Sequence, residues 1–190
     1  MSAARKLEEY YTYEDYAKWE TDKRFELIDG VPYAMAAPNT RHQRVSRRLT
    51  LRIGNHLEQK KGHSCELFVA PYDVRLNPNT RDDTVFQPDL IVICDPKKID
   101  EKFAKGAPDW VIEILSPSNT HHDRVRKLIK YREARVREIW FVDPETKLIE
   151  IYRLEDDGEY SVHYHLGDQS IEVGILPGFA IDTKDIFEEE

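Results

Sequence analysis

The chain has 190 residues, 40% of them hydrophobic and 34% charged, with a formal net charge of −8, and this composition is typical of an ordinary globular protein. No apolar run approaches the roughly 20 residues of a membrane-spanning helix, and no signal-peptide profile opens the chain. We therefore expect a single domain over residues 1–190, cytoplasmic and without a membrane partner. Cys65 and Cys94 are too few for a disulfide framework or a structural zinc site, and we expect two reduced thiols.

Positive residues are concentrated in two segments of this acidic chain. Residues 41–61 and 121–137 each hold seven Lys or Arg residues, against one and two acids respectively. Two basic helices on an acidic body would attract phosphate groups locally while the rest of the surface repels them. The alternative is that these side chains only solvate two helix faces, as charge runs usually do.

The first elements predicted along the chain are a short helix and a β-hairpin. Thr12 is a suitable N-cap for a helix over residues 12–19. Two short runs, residues 25–28 and 31–34, flank Asp29-Gly30, a dipeptide that favours the two-residue turn of a hairpin. Glu26 lies on the first strand, and one interpretation is that it is an ordinary solvent-facing residue.

A long amphipathic helix is predicted from residue 42 to about residue 60. His42 falls in its first turn, where the positive end of the helix dipole tends to keep an imidazole neutral. A neutral imidazole can accept a proton or hold a metal-bound water, although a capping or surface histidine is the commoner case. One apolar residue recurs at every fourth position: Val45, Leu49, Ile53 and Leu57.

Two short apolar runs, residues 90–94 and 110–115, are bounded by prolines and predict strands that are covered on both faces. Asp89 directly precedes the first run, and Glu113 lies in the middle of the second. A buried carboxylate without a partner is costly, so we expect a cation beside these acids.

The helix predicted over residues 120–134, with Ser118 or Asn119 as its cap, supplies that cation. Glu113 lies roughly 10 Å before the end of its strand, and Lys127 lies roughly 10 Å along the returning helix, so the two should meet. The alternative is an ordinary pair between Lys127 and Asp123, one helical turn away. The apolar residues that we expect this helix to bury are Val125, Leu128 and Ile129.

Further strands complete an α/β fold with a central mixed sheet, flanking helices and additional antiparallel strands. They are predicted at residues 66–69, 72–76, 138–142, 148–154, 160–166 and 171–173.

At its acidic strands the sequence resembles the PD-(D/E)XK nuclease superfamily, and specifically the Uma family of restriction endonucleases. Pro88-Asp89 matches the first element of the motif, and Glu113 matches the acid of the second. The lysine that usually lies two residues after that acid would fall at Leu115, so the resemblance implies that Lys127 replaces it from the helix. The second Pro-Asp pair ends at Asp109, about 13 Å from Glu113, which is too far to share a metal. The match continues through Tyr131, residues 138–144 and residues 26–30.

The resemblance implies a restriction-endonuclease-like fold and a Mg²⁺-dependent endonuclease, with Mn²⁺ as a possible substitute, that hydrolyses DNA as a homodimer. One or two carboxylates suffice for Mg²⁺, which keeps several waters. The implied catalytic residues are Asp89, Glu113, Lys127 and Glu26. The implied metal ligands are Asp89, Glu113 and the carbonyl of Ile114. We also expect Arg41, His42, Gln87 and Arg126 to bind DNA.

Two other functions stay open from the sequence. Leu115 at the usual lysine position favours a nuclease fold retained without catalysis, as a DNA-binding or protein-interaction module. The acidic net charge favours a metal-dependent hydrolase of another substrate.

Overall fold

The computed structural model describes residues 9–60, 62, 64–116 and 121–187. The helices are α1 (Tyr13–Tyr16), α2 (Thr40–Gln59), α3 (His121–Glu133) and α4 (Thr183–Phe187), with a 3-10 turn at Pro96–Lys98. The first seven strands are β1 (Phe25–Ile28), β2 (Val31–Ala34), β3 (Glu66–Val69), β4 (Asp73–Arg75), β5 (Val85–Phe86), β6 (Leu90–Ile93) and β7 (Phe103–Lys105). The others are β8 (Trp110–Ile114), β9 (Glu138–Asp143), β10 (Leu148–Leu154), β11 (Tyr160–Leu166), β12 (Ser170–Glu172) and β13 (Ala180–Asp182).

Within these residues the strands form one six-stranded, one five-stranded and one two-stranded sheet. The strand orders are β11-β10-β9-β8-β6-β3, β2-β1-β5-β4-β7 and β12-β13. The two larger sheets are mixed, because β8 pairs with β9 in parallel and β4 pairs with β7 in parallel, whereas the other pairs are antiparallel. No helix in the described part of the chain is both long enough and apolar enough to cross a membrane.

Strand β8 shows how both faces of the six-stranded sheet are covered. Trp110, Ile112 and Ile114 pack into one core cluster with the apolar stripe of α2. Val111, on the opposite face, packs into a second cluster that includes Tyr131 of α3. Because side chains alternate along a strand, Glu113 lies on the same face as Val111 and points toward α3.

Helix α2 follows the sequence prediction and begins two residues earlier than expected. The side chain of Asn39 caps it by accepting a hydrogen bond from the backbone N–H of His42 at 2.9 Å. All four residues of the predicted apolar stripe are buried: Val45, Leu49, Ile53 and Leu57.

The predicted hairpin of β1 and β2 is also confirmed, and it brings Glu26 to the inside of the protein. Ile28 pairs with Val31, so the connection has two residues, Asp29 and Gly30, with positive φ angles of 51° and 78°. Positive φ at both central positions is the requirement of a type I′ turn, which is why Asp-Gly favours it.

Replacing Gly30 by alanine should destabilise the protein by about 1–3 kcal/mol. A Cβ atom there would lie 2.4 Å from Cδ2 of Tyr10, whose hydroxyl is bonded to Asp83. Gly62→Ala is the control, because Gly62 also has a positive φ of 96° but no atom of the described residues lies within 4 Å of its Cβ position. Urea unfolding should show the larger loss for Gly30→Ala, and equal losses would contradict the clash.

Of the three residues that helix α3 was expected to bury, only Leu128 packs against the core, where it is partly buried. Val125 and Ile129 are 39% and 47% exposed, whereas Lys127 and Tyr131 are buried. The helix is rotated because a lysine and a tyrosine with buried acidic partners can occupy the inner face without loss of hydrogen bonds. The predicted cap residues, Ser118 and Asn119, lie outside the described residues.

The expectation of two reduced thiols is wrong, because Cys65 and Cys94 form a disulfide bond. Strands β3 and β6 pair with Glu66 opposite Ile93, and the same register places the two cysteines opposite each other at the ends of the strands. Pairing across strands is a long-range property that the spacing of two cysteines in the sequence does not reveal.

Candidate active site

A cleft of about 140 Å³ lies where the ends of β6 and β8 meet the β1–β2 hairpin and helix α3. This volume equals roughly four or five water molecules at ~30 Å³ each, which suits a hydrated ion or one phosphate group. Seven of the nine residues named from the sequence line it: Glu26, His42, Gln87, Asp89, Glu113, Ile114 and Lys127.

Lys127 and Glu113 meet as the strand and helix lengths predicted. Nζ of Lys127 lies 3.0 Å and 3.1 Å from the two carboxylate oxygens of Glu113 and 2.8 Å from Oε1 of Glu26. All three side chains are nearly enclosed, since Glu26, Glu113 and Lys127 are 6%, 7% and 6% exposed. Lys127 therefore connects two acids from different sheets, and the alternative of an ordinary pair with Asp123 is not needed to explain its position.

The cleft holds more negative than positive charge, and the pKa of Glu113 reflects this. Burial raises the pKa of Glu113 to about 7; Lys127 and Tyr131 oppose the rise, and the carboxylates of Glu26 and Asp89 add to it. Burial alone would lower the pKa of Lys127, but the charges of Glu113 and Glu26 raise it above its usual value. The lysine therefore stays charged, and Glu113 is the group that responds to pH.

The pH dependence of stability should report this raised pKa. The folded protein keeps a proton on Glu113 up to about pH 7, whereas a free glutamate loses it near pH 4.5. The contribution of Glu113 to the free energy of unfolding is therefore complete below pH 4.5 and is lost as pH rises to about 7. We expect the unfolding free energy of wild type, relative to Glu113→Gln, to fall across this window in EDTA. Urea unfolding between pH 4 and pH 8 measures it, and a constant difference between the two proteins would contradict the prediction.

Asp89 lies beside Glu113 because of the register of their strands. Leu90 pairs with Ile112, so Asp89 comes opposite Glu113 at the end of the antiparallel pair. Its Oδ2 accepts a hydrogen bond from the backbone N–H of Ile114 at 2.7 Å, and its Oδ1 lies 3.1 Å from Nε2 of His42. Asp89 is therefore fixed by two contacts, one to β8 and one to the first turn of α2.

Gln87 lies in the cleft wall with its amide already bonded within the protein. Its Oε1 accepts from Nε of Arg24 at 2.7 Å, and its Nε2 donates to Asp73 at 2.8 Å and to the hydroxyl of Tyr16 at 3.1 Å. Its backbone N–H donates to Glu26 at 3.0 Å. Gln87 thus orders the residues around it.

The two other residues named from the sequence, Arg41 and Arg126, lie outside the cleft lining. Arg41 forms an ion pair with Glu145, in the turn between β9 and β10. The guanidinium of Arg126 lies 5.1 Å from the ring centre of Tyr33, and Tyr33 itself lines the cleft. Both arginines remain predictions as DNA-binding residues.

Sequence reasoning gave no role to two residues of this site. The hydroxyl of Tyr131 donates to Oε1 of Glu113 at 2.5 Å from a fully buried position. Its spacing of four residues from Lys127 was a usable signal, because both lie on one helix face. Arg24 lines the cleft and precedes Glu26 by two residues, so the period of a strand places both on one side.

Comparison with known proteins identifies the family of this chain. The family model Uma2, described as "Putative restriction endonuclease", matches residues 7–184. The chain belongs to the Uma2 family. An uncharacterized protein of Synechocystis sp. is 31% identical to this Uma2 chain over 174 residues, which cover 90% of the chain and 88% of the relative.

The fold of this Uma2 protein is similar to that of a solved structure, a putative nuclease belonging to DUF820 from Anabaena variabilis. The two superimpose with a TM-score of 0.75 over 93% of this chain and 97% of the other, at 19% sequence identity. The predicted α/β fold class is thereby confirmed.

The oxygen donors in the cleft of this Uma2 protein are of the type that Mg²⁺ prefers. Asp89 and Glu113 contribute carboxylates from adjacent strand positions, and Ile114, whose carbonyl the sequence suggested, also lines the cleft. Among the described residues, no three His, Cys, Asp or Glu side chains are close enough to hold an ion by themselves. An ion held by two carboxylates and a carbonyl would keep several of its waters, as Mg²⁺ does.

Proposed function

We propose that this protein is a Mg²⁺-dependent endonuclease that hydrolyses phosphodiester bonds of DNA. The observation that carries the proposal is the cleft in which Asp89 lies beside Glu26 and Glu113, the two acids that the buried ammonium of Lys127 pairs with. Excess negative charge in a buried place is expensive unless a cation compensates it. Membership of a family described as putative restriction endonucleases supports the same function.

In this proposal Asp89, Glu113 and the backbone carbonyl of Ile114 hold the ion. A bound Mg²⁺ would supply a water of lowered pKa and a charge sink for the phosphate. His42 would keep Asp89 oriented, since its Nε2 lies 3.1 Å from the carboxylate. Tyr131 would do the same for Glu113, because its hydroxyl donates to Oε1.

Lys127 would donate hydrogen bonds both to the carboxylates and to the attacking water. Its two distances to Glu113, 3.0 Å and 3.1 Å, are nearly equal, which fits one N–H shared between both oxygens. A second N–H goes to Glu26, so the third of its three donors is left to orient a water. Glu26 would fix the ammonium at the level of Glu113.

Cleavage of plasmid DNA tests the proposal directly. Supercoiled plasmid incubated with the protein should become nicked or linear in Mg²⁺ and stay intact in EDTA. We further propose a homodimer, because two sites related by a two-fold axis suit the two strands of a duplex. A dimer by sedimentation, with linear product formed early, would agree with this.

A nuclease fold without catalysis is the second candidate, and Leu115 at the usual lysine position favours it. This candidate predicts that the protein binds duplex DNA or another partner but leaves plasmid intact over a range of Mg²⁺ and Mn²⁺ concentrations. Metal-dependent cleavage that an Asp89 variant lacks would exclude it.

A further inference from the structure

The described lining of the cleft contains two lysine or arginine side chains, Lys127 and Arg24. Lys127 is bonded to Glu26 and Glu113, so most of its hydrogen-bonding capacity is already used. The same lining holds four carboxylates, those of Glu26, Asp89, Glu113 and Asp123, and a DNA phosphate that approaches them is repelled unless a positive charge faces it. Arg24 is the lining residue that can provide this charge.

Arg24 is held in place by a chain of hydrogen bonds that begins in α1 and β4. Gln87 donates both of its Nε2 hydrogens, one to Tyr16 and one to Asp73, and this fixes which end of its amide carries the oxygen. That oxygen accepts from Nε of Arg24 at 2.7 Å. The guanidinium is thus oriented before any ligand arrives, which lowers the entropic cost of binding.

These hydrogen bonds determine whether Gln87 or Arg24 can contact a phosphate. A phosphate oxygen needs a hydrogen-bond donor, and Gln87 has no amide hydrogen left to give. Arg24 uses only Nε, and its two terminal nitrogens have no hydrogen-bond partner among the residues that the structure describes. A guanidinium with free terminal nitrogens matches the oxygens of a phosphate in a two-point contact.

We propose that Arg24, oriented by Gln87, binds a backbone phosphate of the DNA in the cleft, next to the carboxylates. This proposal rests on the proposed nuclease function and adds the residue that recognises the phosphodiester. Arg24 precedes Glu26 by two residues on the same chain segment, about 7 Å along it, so the contacted phosphate lies beside the acids.

Three variants test the proposal: Arg24→Ala, Arg24→Lys and, as a matched control, Lys23→Ala. Lys23→Ala removes the same charge one residue away, from an exposed side chain outside the cleft lining. We expect Arg24→Ala to lower kcat/KM for plasmid cleavage roughly 100-fold, because a preoriented phosphate donor is lost. Arg24→Lys should recover only part of this, Lys23→Ala should keep wild-type activity, and added guanidinium ion should partly restore Arg24→Ala.

DNA binding provides a readout that does not depend on catalysis. In an Asp89→Asn background, Arg24→Ala should reduce the slope of log K against log salt for a duplex oligonucleotide by about 1, as expected for one lost phosphate contact. Wild-type cleavage and an unchanged salt slope in Arg24→Ala would overturn the role of Arg24 and leave the nuclease proposal intact. A wild-type protein that neither cleaves nor binds DNA would overturn both.

Discussion

Replacing Asp89 by asparagine should lower Mg²⁺-dependent plasmid cleavage by about 10³-fold or more. In the wild-type protein the backbone N–H of Ile114 donates to the Asp89 carboxylate at 2.7 Å. Asparagine keeps an oxygen that can accept this hydrogen bond, so we expect the fold to be retained. The substitution removes the negative charge that holds the ion, and with the ion the protein loses several kcal/mol of transition-state stabilisation. A loss of that size corresponds to about three powers of ten in rate. Initial rates of plasmid relaxation at several Mg²⁺ concentrations measure the effect.

Asp109→Asn is the matched control, because Asp109 belongs to the second Pro-Asp pair of the chain. Its carboxylate accepts from the backbone N–H of Cys94 at 2.8 Å and forms an ion pair with Arg137, away from the cleft. We expect this variant to cleave at the wild-type rate. Equal losses in both variants, or normal cleavage by Asp89→Asn, would reject Asp89 as a metal ligand.

Replacing Lys127 by methionine should destabilise the protein by about 3–5 kcal/mol at neutral pH, as the loss of one partner from a buried ion pair does. Glu113 and Glu26 would face each other in a buried site without the ammonium that lies 2.8–3.1 Å from them. Because Lys127 lowers the pKa of Glu113, that pKa should rise further in the variant. The loss should therefore grow as pH rises above about 7, where Glu113 is ionised in wild type and still protonated in the variant, and level off below that pH.

Lys130→Met is the control for this variant, because Lys130 lies on the same helix and pairs with Asp29 and Glu133. Those acids are 50% and 60% exposed, so the pairs should contribute less than about 1 kcal/mol. Urea unfolding from pH 5 to pH 8 compares the two. A Lys127→Met loss as small as that of Lys130→Met would mean that the carboxylates do not depend on the lysine. If a cation binds beside Glu113, Mg²⁺ should stabilise Lys127→Met more than wild type.

The meeting of Glu113 with Lys127 could be predicted from the sequence because it follows from two constants. A strand rises about 3.3 Å per residue and a helix about 1.5 Å, so the lengths of strand and returning helix place one residue at the level of the other. The hairpin turn at Asp29-Gly30 was predictable for a similar reason, since few residues adopt positive φ at two successive positions. Both are properties of short segments.

Which apolar residues of α3 are buried could not be predicted in the same way. A pattern of apolar residues assigns Val125 and Ile129 to the core, yet the structure exposes both and buries Lys127 and Tyr131. The free energy of burying a charge depends on the partners that it finds, and here the partners are Glu26 and Glu113, which lie on other elements of the chain. Local periodicity contains no information about them.

The sequence by itself determined helices α1 to α3, most of the strands and the two acids with their lysine, because each depends on residues a few positions apart or on fixed helix and strand dimensions. It did not predict the short elements β5, β7, β13 and α4. Only the tertiary structure decided the disulfide of Cys65 with Cys94, the orientation of Arg24 by Gln87 and the contact of His42 with Asp89. These contacts join residues 29, 63 and 47 positions apart, whose distances depend on how the sheets and helices pack. Packing is a property of the whole chain, and for that reason the residues that orient the site became visible only in the folded protein.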